Sequence, residues 1–417
     1  MNSYRIRPIS ISLSPNTERD DILLAGALLF QLWRWKKGKG TELLEKEFAN
    51  RVGMRHALSF NSGRSALMAV LHALNFEKGS EVALQAFTCN AVPNPVRWSG
   101  LTPLFIDCAK DDYNMDVQDL ERKITPRTKA VIVQHTFGIP ADMDAIAKIC
   151  GERNLILIED CAHALGATYK GKPVGTIGDI SFFSFSRDKV ISSVYGGMVA
   201  TNNEAWAERV KEFQERAGYP GLFWIKQQLL HPVLMNTLVL PFYGIFGKYI
   251  LVLFQSLHLF SKAVHWKEKK GEKPAYFPKR MPNALAVLAL QQLKKLERFN
   301  QHRKEIAEFY SRELHDTQYS IPDTKYQDGS IFLRYPVRHA RAHEIIRKAW
   351  KKGILLGDWY TTPIDPHDTK AESCGYVAGS CPIAEELSQE TLNLPTHIRI
   401  SKKDAERIIQ FLRAFKM

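Results

Sequence analysis

Cysteine is scarce in this 417-residue chain, and acidic charge is in deficit. The six cysteines (Cys89, Cys108, Cys150, Cys161, Cys374 and Cys381) have no metal-ligand spacing and sit mostly among apolar residues. That excludes a disulfide scaffold or a zinc module and fits reduced thiols in a cytosolic protein. There is no internal repeat, no low-complexity segment and no motif for binding nucleic acid. Lys and Arg number 57 against 44 Asp and Glu, a formal charge of +13. Such a balance favours anionic partners: a membrane surface, a phosphorylated substrate or nucleic acid. With no motif to accompany the charge, nucleic acid is not expected. A secretory signal is missing too, because the apolar run Ile22 to Trp33 follows the acidic ERDD and precedes Arg34, Lys36, Lys37 and Lys39, the reverse of the secretory order. The expected location is the cytoplasm.

Composition is otherwise ordinary, at 45% hydrophobic and 24% charged, and the length suits about two domains. Seven short apolar runs have strand length: 56–60, 81–85, 102–107, 130–135, 155–160, 179–185 and 197–202. Segments of helical period separate most of them, as at 63–74, 142–154 and 205–218. Alternation of this kind predicts an α/β large domain built on a seven-stranded, mostly parallel sheet, with functional groups at the carboxyl ends of its strands. A single long helical pattern from 283 to 314 is expected to bridge to a small α+β domain. That domain would hold the strand 330–338, the helix 342–353 and an amphipathic C-terminal helix. The organisation read here is an N-terminal arm and large domain (1–217), an insertion (218–278), and the bridging helix with the small C-terminal domain (279–417).

The insertion is unusual. Between Gln227 and Ser261 the only fully charged residue is Lys248, whereas 262–280 carries seven basic residues against two acidic ones. A two-pass hairpin would need about 40 apolar residues plus a turn, which the segment does not supply, and a single span would place the two halves of one active site on opposite sides of a membrane. Two readings stay open: a buried or subunit-contact segment, and peripheral membrane contact through 229–262 at the inner membrane surface, where Trp224, Trp266 and the lysines would meet the headgroups.

The chemistry-bearing stretch is SFFSFSRDK (181–189), which follows the apolar run LILIED. One strand delivers Asp160 to its carboxyl end, and the next delivers Ser184 and, on the following turn, Lys189. A lysine amine that can bond an aldehyde, beside a carboxylate that can keep a ring nitrogen protonated, is what pyridoxal 5'-phosphate requires. Asp160 is also a good N-cap for the helix-like CAHALG, and both roles are compatible.

The motifs FNSGRSAL, GSEVALQAFT, ITPRTKAVIVQHTFGIPADMDAI, LILIEDCAHALGATYKGKPVGTIGDISFFSF and CPIAEELSQETLNLPTH, together with Lys189 ahead of Gly196 and Gly197, carry a family resemblance. From about Gly38 to the C-terminus the chain resembles the DegT-type nucleotide-sugar aminotransferases, within the fold-type I pyridoxal phosphate enzymes. The resemblance assigns Lys189 to the covalent cofactor bond, Asp160 to the pyridine nitrogen, His163 to the phenolic oxygen and Ser184 to the phosphate. It also places Gly63, Arg64 and Ser65, at a helix N-terminus, on that phosphate. Arg280 corresponds to a residue that reaches the phosphate of the neighbouring subunit, which implies a homodimer. Two positions depart from the family. Cys89 stands where an aromatic residue commonly stacks on the ring, leaving that task to Phe87, and Tyr195 replaces a frequent acidic residue. No metal site is expected.

The implied activity is transfer of an amino group from an amino acid, glutamate by resemblance, to a ketosugar on a nucleotide, for surface-polysaccharide or glycan precursors. His135 reads equally as a sugar-pocket or a core histidine. A cysteine desulfurase shares the fold and would need a reactive thiol, for which ESCGYVAGSC offers Cys374 and Cys381. A third reading is a non-catalytic, cofactor-binding regulatory protein. The presence of both Lys189 and Asp160 counts against it.

Overall fold

The computed structural model describes residues 7–110, 112–257, 259–323 and 328–415. Seven strands form one sheet: β1 (His56–Phe60), β2 (Glu81–Gln85), β3 (Thr102–Ile106), β4 (Thr128–Gln134), β5 (Ile156–Asp160), β6 (Ile180–Ser184) and β7 (Gly197–Thr201). Their spatial order is β1-β7-β6-β5-β4-β2-β3. Pairing is parallel from β6 through β5, β4, β2 and β3, and β7 alone runs antiparallel to both its neighbours. The fold is α/β, as the alternation of periods predicts. Each strand lies within two residues of its sequence-based bounds, because sheets covered on both faces need continuous apolar runs that are easy to see.

Local chemistry sets the helix ends. The Gly63–Leu74 helix starts at Ser62, whose side chain accepts from the Ser65 amide, and ends at Asn75 in the left-handed region. Asp142 and Asn203 cap the helices at Met143–Arg153 and Glu204–Ala217 in the same way. In the C-terminal part, strands β8 (Arg334–Arg338) and β9 (Thr391–Pro395) pair antiparallel, and the helices Ala342–Lys351 and Lys402–Arg413 lie close in sequence.

The expected single helix over 283–314 is two, Asn283–Leu293 and Leu296–Leu314. The chain leaves helical geometry at Lys295 (φ −100°, ψ 1°), whose ammonium is held by Asp20 at 2.6 Å and Asp21 at 3.0 Å. The N-terminal arm thus docks at the break, a tertiary ion-pair cluster that helical periodicity does not reveal.

The insertion folds as a bent hairpin. Helix Leu222–Leu234 runs into a wide turn at Met235–Val239, and after a break a second wide turn at Tyr243–Gly247 leads into helix Lys248–Ser256. The two arms meet at 105°. Gly247 makes this possible, since a Cβ there would strike the carbonyl of Val239 and the backbone of Phe242. Met235, Val239, Leu240 and Phe260 give the hairpin a small core of its own. Among the described residues no single helix is long and apolar enough to cross a membrane. The outward positions Ile245, Tyr249, Val252, Leu253 and Leu257 are each more than half exposed.

Candidate active site

A cavity of about 530 Å³ lies where three neighbouring strands end, and Gln134, Asp160 and Ser184, the last residues of β4, β5 and β6, all line it. This is where a parallel sheet gathers functional groups, since the loops that follow the strands diverge there.

Asp160 sits 3% exposed with one carboxylate oxygen accepting from the Ala162 amide at 3.0 Å. Burial raises its pKa from 3.8 to about 6, and the pull of Lys189 offsets this only in part. A buried carboxyl with so little compensation is suited to a cationic ring nitrogen. Lys189 lines the same cavity, and its ammonium lies 4.6 Å from the centre of the Trp359 ring. Burial lowers its pKa, which favours the neutral, nucleophilic amine. The N-terminal arm positions the Lys189 loop: the Asn16 carboxamide donates to the carbonyls of Lys189 at 2.6 Å and Val190 at 3.1 Å.

His163 is buried, and burial holds its imidazole well below the ordinary histidine value, so it is neutral. Its Nδ1 accepts from the Phe137 amide at 3.3 Å, which leaves the proton on Nε2, near the Tyr360 hydroxyl at 3.5 Å. A neutral imidazole with Nε2–H directed at the site suits a phenolic oxygen.

The candidate phosphate seat is assembled by close approach. Glycine at 63 brings the helix N-terminus against Ser184, whose hydroxyl oxygen would lie 3.3 Å from a Cβ there, and Gly197 is required because a Cβ would collide with the backbone of Ser62 and Gly63. Gly63, Arg64 and Ser184 face the cavity. The amide cradle, the hydroxyl, the buried acid and the lysine together fit pyridoxal 5'-phosphate.

Three expected positions lie elsewhere. Ser65 is not on the cavity: its amide is taken by Ser62 and its hydroxyl donates to Asn61 at 2.7 Å, so the cap consumes it. Phe87 is fully buried, edge-on to Tyr360 and Phe137, and the aromatic residue beside Lys189 is instead Trp359. Arg280 stacks its guanidinium 5.0 Å from the Tyr219 ring and does not line the cavity of its own chain. His135 is a core residue, bonded to Glu159 at 3.1 Å and to the Ala141 amide at 3.1 Å. Cys374 and Cys381 are fully buried away from the cavity, with thiols pushed up to about 12 and 11, which removes the two thiols a desulfurase reading needs.

The insertion roofs the site. Arg187 donates to the Ser261 carbonyl at 2.7 Å and hydroxyl at 2.8 Å, and the Tyr195 hydroxyl donates to the Lys262 carbonyl at 2.5 Å. Tyr195, a departure from the family pattern, is therefore an anchor for the roof. The Arg64 side chain forms an ion pair with fully buried Glu268 and donates to the Ala263 carbonyl at 3.2 Å. Sequence reading did not single out Arg334, Trp359, Arg187 or His231, all of which line the cavity. Arg334 is 2% exposed and bonds Asp188 at 3.3 Å, and a lone arginine inside the apolar FLRYPV was the one available signal.

A family model described as the DegT/DnrJ/EryC1/StrS aminotransferase family matches residues 18–227 and 251–413. The chain is 29% identical over 388 residues to the GDP-perosamine synthase of Escherichia coli O157:H7, covering 92% of each chain. It is 28% identical to the spore coat polysaccharide biosynthesis protein SpsC of Bacillus subtilis, covering 90% of each. Among solved structures, the aminotransferase PseC of Helicobacter pylori superposes with a TM-score of 0.76 at 23% identity over 98% of both chains.

Proposed function

The chain belongs to the DegT/DnrJ/EryC1/StrS aminotransferase family, and from that premise we propose that it moves the amino group of glutamate to a nucleotide-linked ketosugar for polysaccharide or glycan precursors. The enzyme is a pyridoxal 5'-phosphate-dependent aminotransferase. The observation that carries the reading is the pairing of buried Asp160 and Lys189 across one cavity with an amide cradle at Gly63. Relatives that include a GDP-perosamine synthase and a dTDP-amino-sugar transaminase support the acceptor class.

Bound at this site, the cofactor supplies an aldehyde for the amino group and a ring that delocalises the electron pair left when the donor loses its α-proton. The protein does the rest. Asp160 would hold the ring nitrogen's proton, His163 would donate from Nε2 to the phenolic oxygen, and Gly63, Arg64 and Ser184 would fix the phosphate. The Lys189 amine, with its pKa lowered by burial, takes the donor's α-proton and returns one at the opposite stage. Cations at Arg187, Arg334 and Lys262 face the anionic groups of the substrates.

The enzyme is placed in the cytoplasm as a homodimer in which Arg280 serves the partner's site. Its 229–262 segment is placed against the inner membrane surface, a reading supported by the outward apolar side chains and the absence of any acidic residue from 218 to 267. Flotation with anionic vesicles tests that contact, and protein that stays at the bottom of the gradient would refute it. For the reaction, glutamate should bleach the visible band of the bound cofactor, and one member of a panel of nucleotide ketosugars should restore it. A band unmoved by every amino donor would sink the aminotransfer reading.

A further inference from the structure

The roof of the cavity contains a buried histidine whose ring nitrogens have no hydrogen-bond partner among the described residues. His231 lies on helix Leu222–Leu234 of the insertion, is 3% exposed and lines the same cavity as Lys189. Its ring packs edge-on against the Phe260 ring, 4.9 Å away at 60°. One helical turn earlier, Gln228 accepts from the Ser261 hydroxyl at 2.7 Å, and Ser261 is held in turn by Arg187, so this face of the helix is fixed in place. Met235, one turn later on that face, also lines the cavity.

Two unbonded polar atoms in a buried ring are costly unless something satisfies them, and the open side is the cavity. Burial, with Arg187 nearby, holds the imidazole well below its ordinary pKa, so the ring is neutral and carries one donor and one acceptor. A phosphate, which only accepts, is better served by the cations at Arg187, Arg334 and Lys262. A sugar hydroxyl, which gives and takes, matches a neutral imidazole. The family model leaves 228–250 unmatched, so His231 belongs to a part of the chain outside the shared family pattern.

We propose that His231 is an acceptor-binding residue that exchanges hydrogen bonds with hydroxyl groups of the ketosugar, giving this chain a specificity contact from its own insertion. The inference rests on the ketosugar reading of the acceptor. Its test uses the holoenzyme with a GDP-linked 4-ketohexose and a panel of other nucleotide ketosugars. His231→Phe keeps the ring volume and removes both nitrogens. It should raise the acceptor KM about 10- to 100-fold while glutamate bleaches the cofactor band at the wild-type rate. The same variant should melt at a higher temperature than wild type, since it buries no unsatisfied nitrogen. His231→Gln, which retains a donor and an acceptor, should lose less affinity and stands in if the phenylalanine variant misfolds. An unchanged acceptor KM in both variants would overturn the proposal and leave His231 a packing residue. A wild-type enzyme that responds to glutamate but to no ketosugar would overturn the acceptor class, and this inference with it.

Discussion

Asp160 shows how function sets a cost at a single residue. A carboxyl whose native pKa, about 6, lies above its unfolded value of 3.8 binds its proton more tightly when folded. Its contribution to stability is therefore full below pH 3.8 and is lost as the pH rises to 6, a loss of about 3 kcal/mol in the cofactor-free protein. Asp160→Asn should flatten that dependence in urea titrations of the cofactor-free enzyme across pH 4 to 7, and at the same time weaken cofactor binding. A pH profile identical to wild type would contradict the assignment. Lys189→Ala should lower turnover by at least about 100-fold, read as loss of glutamate-driven bleaching of the bound cofactor. Each residue alone has a structural reading, an N-cap for Asp160 and a surface position for Lys189, and it was their spacing and the family motifs that singled them out; both line one cavity. Ser65 takes part in the helix cap and does not line the cavity, and a sequence does not separate the two roles because a serine at a helix start serves the cap as readily as a ligand.

At the scale of elements, the insertion is a roof held by the hydrogen bonds of Arg187 and Tyr195 and by the buried Arg64–Glu268 ion pair. Arg64 is 7% exposed and Glu268 fully buried, so each charge depends on the other. Glu268→Ala should cost about 3–5 kcal/mol by leaving the Arg64 charge unpaired. The roof loop should also loosen, so cofactor release should be faster in a dilution assay. Arg64→Ala with Glu268→Ala should recover part of the lost stability. Gly247→Val should disrupt the hairpin without touching the sheet, seen as increased proteolytic cutting within 235–257 while the remainder stays resistant. The seven strands were readable because β-period and helical period alternate cleanly. The break at Lys295 was not, because a helical pattern carries no record of an ammonium drawn away by Asp20 and Asp21 on a distant segment.

For the whole molecule, the homodimer proposed above makes a prediction about Arg280. Arg280 turns its guanidinium onto Tyr219 and away from its own cavity, which fits service to a partner. If it acts across the interface, Arg280→Ala and Lys189→Ala chains, each inactive alone, should regain part of the activity when unfolded and refolded together, because mixed dimers hold one intact site. No recovery would place Arg280 outside the site.

The amino-acid sequence by itself determined the α/β class, the family and the two groups proposed to do the chemistry, since strand periodicity and the spacing of Asp160 and Lys189 are local properties of the chain. Tertiary structure alone decided what surrounds them. Trp359, Arg334 and His231 reach the cavity from segments 170, 145 and 42 residues beyond Lys189, and long-range packing of that kind leaves no mark in local pattern. It also brought one side of the apolar insertion, through His231, Met235, Leu251 and Gln255, onto the candidate cavity of its own chain, which composition does not specify.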